Sequence, residues 1–155
     1  MTEARETLID RMLGFAQDAI EKEAMAAASL WTVIEGTELA ANMMVFSAVR
    51  DPAQSVESEV ARLQEELSTP GDDDADKREV TVLDLLAGKA VRLRVMTQSP
   101  VEPGETGIVV ELVQYWLPVP DAAHSLIVSC TTPCLVYGEE LTAVFDSIAA
   151  SLELT

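Results

Sequence analysis

Aromatic side chains are scarce in this chain, at 5% of its residues, and bases are heavily outnumbered, with 10 Lys and Arg against 27 Asp and Glu. The first scarcity means that any core is built mostly from Ala, Val, Leu, Ile and Met. The second leaves a formal net charge of −17. Phosphate backbones and anionic lipid surfaces are bound through clustered Lys and Arg, so neither nucleic acid nor membrane is an expected partner. A protein partner, basic in character, is compatible with that charge, which also serves solubility. The chain has a single histidine, His124, so any histidine-based metal site or catalytic triad has to use it. No GxGxxG is present, Gly88-Lys89 lacks the upstream Gly and the following Ser or Thr of a P-loop, and no serine sits in a GxSxG elbow. No catalytic residue, cofactor site or metal site is therefore expected, and the chain reads as non-enzymatic.

Long apolar runs are missing too. The longest nearly uncharged stretch, Ala24 to Ile34, is too short to span a bilayer and is followed by Glu35 and Gly36. The opening MTEARETLIDRMLGF has no basic region and no continuous apolar segment, so it does not read as a secretory signal, and the cytoplasm is the expected location. The apolar share of 48% with moderate charge is that of a globular protein, and 155 residues fit one domain, 1–155. A domain of that size buries about 70% of the surface its unfolded chain exposes and needs no disulfide or metal staple.

Apolar spacing predicts the elements. Leu8, Met12, Phe15 and Ala19, with Ile9, Leu13, Ala16 and Ile20 beside them, make an amphipathic helix over residues 3–24. Residues 25–49 flank Gly36-Thr37 and suggest a hairpin turning at Glu35 to Glu38. Both strands are apolar on both faces, as expected of strands covered on each side. Periodicity alone leaves 38–49 open between strand and buried helix, and Val, Phe, Thr and Trp favour strands. Residues 51–67 read as a helix with Asp51 as N-cap, Pro52 in its first position and Gln54 in a capping box, its apolar line being Val56, Val60, Leu63 and Leu67. Strands follow at 80–86, 90–98, 107–117 and 125–131, and Pro133 opens a last helix striped by Leu141, Val144, Phe145, Ile148, Ala149 and Leu152. The fold class is thus α+β: an antiparallel sheet of about six strands flanked by three helices, in the order α-β-β-α-β-β-β-β-α.

Few residues invite chemistry. His124 lies in the turn 121–124 and reads as a solvated turn histidine, with Asp121 its nearest candidate partner. Cys130 and Cys134, spaced C-x3-C, give with His124 only three soft ligands, short of a closed zinc site, and reduced thiols in or near the core are expected. In the first turn of the last helix, Cys134 would feel a dipole that lowers its pKa. Asp72, Asp74 and Asp76 begin like a calcium loop, but Lys77 stands where the glycine belongs and Leu83 where the bidentate Glu belongs, so a solvated loop is the better reading. Trp31, Tyr115 and Trp116 read as core or sheet-face aromatics.

One constellation follows from strand geometry. A hairpin turning at 87–89 sets Asp84 opposite Arg92, and simple register across the loop 99–106 sets Arg94 opposite Glu111. Arg92 and Arg94 share a face because they are two apart. Asp84, Arg92, Arg94 and Glu111 would form a charged strip, either cross-strand ion pairs or a docking spot for an anion or a partner.

The order of elements and the terminal segment FDSIAASLEL, with Phe145 to Leu152 the part that matches best, resemble the PsbP-like superfamily. The resemblance implies an antiparallel sheet sandwiched between helices and mostly non-catalytic binding roles, and it carries over no functional residue. Many bacterial relatives are exported lipoproteins, whereas this chain lacks an N-terminal lipid-acceptor cysteine and looks like a cytoplasmic bacterial offshoot. The functional expectation is an accessory or adaptor protein that acts through protein–protein contacts, as a homodimer or with a basic partner. The alternative is a small-ligand binding module with a cavity between sheet and helices lined by Met25, Met43, Met44 and Met96.

Overall fold

The computed structural model describes residues 2–72, 74, 78–98 and 107–154, with the side chains of residues 2–5 and 7–9 outside that description. Three α-helices and six strands occur among the described residues, in the predicted order: α1 (Thr2–Glu21), β1 (Ala26–Ile34), β2 (Thr37–Val49), α2 (Val56–Leu67), β3 (Glu79–Leu85), β4 (Gly88–Gln98), β5 (Val109–Pro118), β6 (His124–Thr132) and α3 (Gly138–Ala150). A single 3-10 turn, Leu135–Tyr137, precedes α3. Residues 38–49 are strand. The sheet order is β1-β2-β6-β5-β4-β3 with every neighbouring pair antiparallel. The chain lays down the β1–β2 hairpin, crosses through α2 to the far edge, and returns as a meander that seats β6 beside β2.

The β1–β2 turn falls where the sequence puts it. Glu35 and Gly36 both have positive φ, 50° and 81°, the geometry of a two-residue turn whose twist matches that of the strands it joins. Ile34 therefore faces Thr37 and the register runs unbroken to Ala26 opposite Val45.

Residue parity sorts the sheet into two faces. On one, Leu39, Ala41, Val113, Tyr115, Val128 and Cys130 meet Leu141, Phe145 and Ala149 of α3. On the other, Val91, Leu93 and Val95 meet Val60, Leu63 and Leu67 of α2. α1 lies over β1 on the α2 side of the sheet, with Arg11 3.7 Å from Glu38 and Ala19 buried.

Three expectations are corrected. The α2 helix starts at Val56, with Ser55 as its N-cap accepting from the Ser58 N–H at 3.1 Å. Asp51 instead closes a separate turn by accepting from the Ala53 N–H at 2.9 Å. The cause lies at Arg50, which is buried and donates to the carbonyls of Val119 and Gln54, so the chain at Gln54 is held out of the helix. Pro133 likewise does not open α3, which begins five residues later at Gly138. Nor is β1 covered on each side: eight of its nine residues are exposed.

Ser55→Ala should lower stability to urea by about 1 kcal/mol through loss of the cap. Asp51→Ala, outside the helix, should cost less; the reverse ranking would return the cap to Asp51.

Candidate functional site

Of the four residues in the predicted charged strip, the fold brings together Arg94 and Glu111 and separates the rest. Arg94 Nε donates to Glu111 Oε1. Arg92 lies on the same face, but its Nη1 donates at 2.7 Å to Asp146 of α3, not to Asp84. Asp84 faces Lys89 on the opposite side of the sheet, 3.6 Å from its ammonium and largely exposed. The β3–β4 turn is Leu86-Ala87, and Gly88, at φ 134°, opens β4 opposite Leu85. Asp84 opposite Arg92 needs a pairing shifted by three residues, an odd number, and an odd shift turns every side chain to the other face. For Arg94 the expected partner is off by two, since Glu111 pairs with Met96. An even shift keeps the face, and the diagonal neighbour remains within reach.

These charges form a partly buried network beneath α3, with Glu111 at its buried centre. Glu111 is 2% exposed, and a methyl group at Gly138 would overlap its Oε2, so the carboxylate lies against the first residue of α3, where the helix dipole favours a negative charge. Among the described residues Glu111 Oε2 and Arg92 Nε have no hydrogen-bond partner. Tyr115, almost fully buried, donates its hydroxyl to Asp146 at 2.5 Å. Burial and then the Asp146 carboxylate push the Tyr115 phenol well above its ordinary pKa. Each guanidinium thus faces a carboxylate of its own chain.

The cysteines sit apart in role. Cys130 is buried on β6, and burial pushes its thiol up to about 12. Cys134 precedes the 3-10 turn and lies outside α3, so the predicted dipole effect has no helix terminus to act from. Its Sγ instead accepts from the Ala40 N–H at 3.4 Å, and Thr132 Oγ1 donates to the Ala40 carbonyl at 2.7 Å. These side chains carry on the β2–β6 ladder where β6 has ended. Both thiols are free. His124 is the exposed first residue of β6, opposite Val49.

Asp74 is not part of a solvated run. It holds Arg78 at 2.6 Å and accepts from the Gly71 N–H at 2.8 Å, while Arg78 donates to the last α2 carbonyl, Leu67, at 3.0 Å. The Arg78 guanidinium keeps the Asp74 carboxyl below its ordinary pKa. Asp73 and residues 75–77, Asp76 among them, lie outside the described residues, as do 99–106. Among the described residues no three metal-binding side chains converge, and no helix is long and apolar enough to cross a membrane.

The surface that stands out was not singled out by sequence. Leu30, Trp31, Val33 and Ile34 of β1 are exposed, as are Met25 before it, Met12, Leu13 and Ile20 of α1, and Val144 and Ile148 of α3. A groove of about 120 Å³ lies between β1, β2 and α3, lined by Ala28, Leu30, Met43, Val144, Phe145 and Ile148 among others. A larger cleft of about 510 Å³ opens on the other side, between α1 and the hairpin, with Arg11, Met12, Trp31, Glu38, Asn42 and Cys134 in its walls. The four methionines do not line one cavity: Met25 is exposed, Met44 is buried on the α2 side, and Met43 and Met96 point to the α3 side. The signal for the exposed surface was present in the charge-free run 24–34, which the expectation of cover on both sides absorbed.

No family model, curated protein or solved structure matches the chain.

Arg94→Ala should cost about 3–5 kcal/mol by leaving the Glu111 carboxylate buried and unpaired. Arg94→Met with Glu111→Met should come much closer to the parent, since apolar replacement of both partners removes the charge burial. Urea unfolding at neutral pH measures both, and a double variant weaker than the single would contradict the pairing.

Proposed function

We infer that the chain is a non-enzymatic accessory or adaptor protein of the cytoplasm that acts through protein–protein contacts. One observation carries the reading: the β1 end of the sheet exposes apolar side chains on both faces, Leu30 with Val144 and Ile148 of α3 around a shallow groove on one side and Trp31 with Met12 of α1 beside the larger cleft on the other, on an otherwise strongly acidic molecule. Contiguous apolar surface of this kind marks interaction sites on soluble proteins. The charged network under α3 supports the same reading, because its arginines and carboxylates are spent on one another rather than poised toward a cleft. Two unpaired thiols suit a reducing compartment. The resemblance to the PsbP-like superfamily, carried by element order and the segment Phe145 to Leu152, points to a binding role as well. Acidity elsewhere on the surface suits a partner with a basic rim.

A second reading, a small-ligand binding module, is favoured by the 510 Å³ cleft beside Trp31, Arg11 and Cys134, which lies within the size range of small-molecule sites.

A photo-crosslinking residue placed at Leu30 or Val144 should yield covalent protein adducts in the native host, and one at Glu65 on the exposed side of α2 should not. Adducts from Glu65 alone would refute the assignment of the surface. A co-purifying small molecule in native mass spectrometry, released by Trp31→Ala, with no protein adduct, would establish the second reading in its place.

A further inference from the structure

We propose that β1 is the edge through which two copies of this chain pair, antiparallel and about a twofold axis, into one continuous sheet. This rests on the reading of the chain as a protein that works through protein contacts, and it names the partner as a second copy.

The edge itself is the first ground. An edge strand exposes a row of unpaired N–H and C=O groups, and proteins that stay apart blunt it with charge, proline, a bulge or brevity. β1 has none of these devices. Its nine residues, AAASLWTVI, hold unbroken register with β2 and include no Pro, no Gly and no ionisable group. The opposite edge, β3, is shorter at seven residues and carries Glu79 and Asp84. Ile34 and Thr37 close a two-residue turn as a hydrogen-bonded pair, so even-numbered residues of β1 bond to β2. Ala27, Ser29, Trp31 and Val33 then direct their backbone groups outward.

Charge selects the occupant. A basic partner strand needs acids to meet it, and β1 offers none. A strand that is uncharged and apolar on both faces fits another of the same kind, and β1 is self-complementary about Leu30. In that register Leu30 faces Leu30 of its copy, Ser29 faces Trp31, Ala28 faces Thr32, Ala27 faces Val33, and Ala26 faces Ile34. Every outward-directed backbone group meets an outward-directed one. Along the paired strands no like charges meet, the nearest in the chain being Glu23 and Glu35 past the strand ends. A twofold axis normal to the sheet keeps the faces in common, so the two α1 helices run side by side. Met12, Leu13 and Ile20, exposed in the single chain, then lie on helices that adjoin their copies.

Sedimentation velocity across the micromolar range is the primary test. The expected result is a dimer that tightens with added salt as repulsion between two acidic copies is screened, whereas docking of a basic partner would weaken. Ala27→Lys and Ser29→Pro should each raise the dimer Kd about tenfold or more. Neither removes a β1–β2 backbone hydrogen bond, so circular dichroism and the melting midpoint should stay close to the parent. Leu30→Cys in a Cys134→Ser background should form an inter-chain disulfide with oxidised glutathione, because residues facing at a non-hydrogen-bonded position bring their Cα atoms to about 4.5 Å, within the span a disulfide bridges. Thr81→Cys on the β3 edge should not.

A monomer at every concentration and salt, with no Leu30→Cys linkage, overturns the pairing. If crosslinks from Leu30 or Val144 still capture protein, only the choice of a second copy fails; if they do not, the protein-contact reading fails with it. A dimer that Ala27→Lys and Ser29→Pro leave intact but Val144→Lys dissolves would also overturn the edge pairing, in favour of stacked faces.

Discussion

A sheet that is apolar over much of both faces needs cover on both sides, and the placement of the three helices decides which strands receive it. The hydrophobic effect, at about 1.5–3 kcal/mol for each large apolar side chain fully buried, drives that cover. α2 protects the strands from β3 to β5 on one side, and α3 protects the centre of the sheet on the other. α1 reaches β1 on one side only and leaves Met12, Leu13 and Ile20 in solvent. Nothing among the described residues covers β1 on the α3 side. The chain thus carries a well-packed centre and one unfinished end, and the functional reading follows from that imbalance.

The centre explains where the charge has gone. Arg92, Arg94, Glu111 and Asp146 sit between the sheet and α3, where an uncompensated ion would be costly, and they neutralise one another in pairs. Glu111 adds a second constraint by pressing against Gly138, which leaves no space for a side chain at the first position of α3. Helix position, strand register and charge pairing are therefore coupled at this one place. The same coupling turns the arginines inward, away from the role of a free docking spot.

Element order was legible in the sequence because hydrophobic period and turn residues are local signals. The Glu35-Gly36 turn and the stripe of α2 needed no tertiary information. Register was less legible, and parity decided what survived. An error of two residues at Arg94 and Glu111 preserved the ion pair, while an error of three at Asp84 sent it to the wrong face. The cap of α2 was misplaced because Arg50, far from Val119 in sequence, claims the Gln54 carbonyl through tertiary contacts. The exposure of β1 was hidden for a similar reason: strand order across the sheet depends on where β6 docks, and a doubly apolar strand reads the same at an edge as in the middle. Cys134 misled because a proline one residue earlier resembles a helix start, whereas the thiol is held by the β2 backbone.

Hydrogen exchange on β1 tests the central claim, that this edge is completed by another chain, most directly. The amides of Ala27, Ser29, Trp31 and Val33 should become more protected as protein concentration rises, while those of Val80 and Val82, which point outward from the β3 edge, stay unchanged. Exchange at these four β1 amides that is fast and independent of concentration would contradict the account.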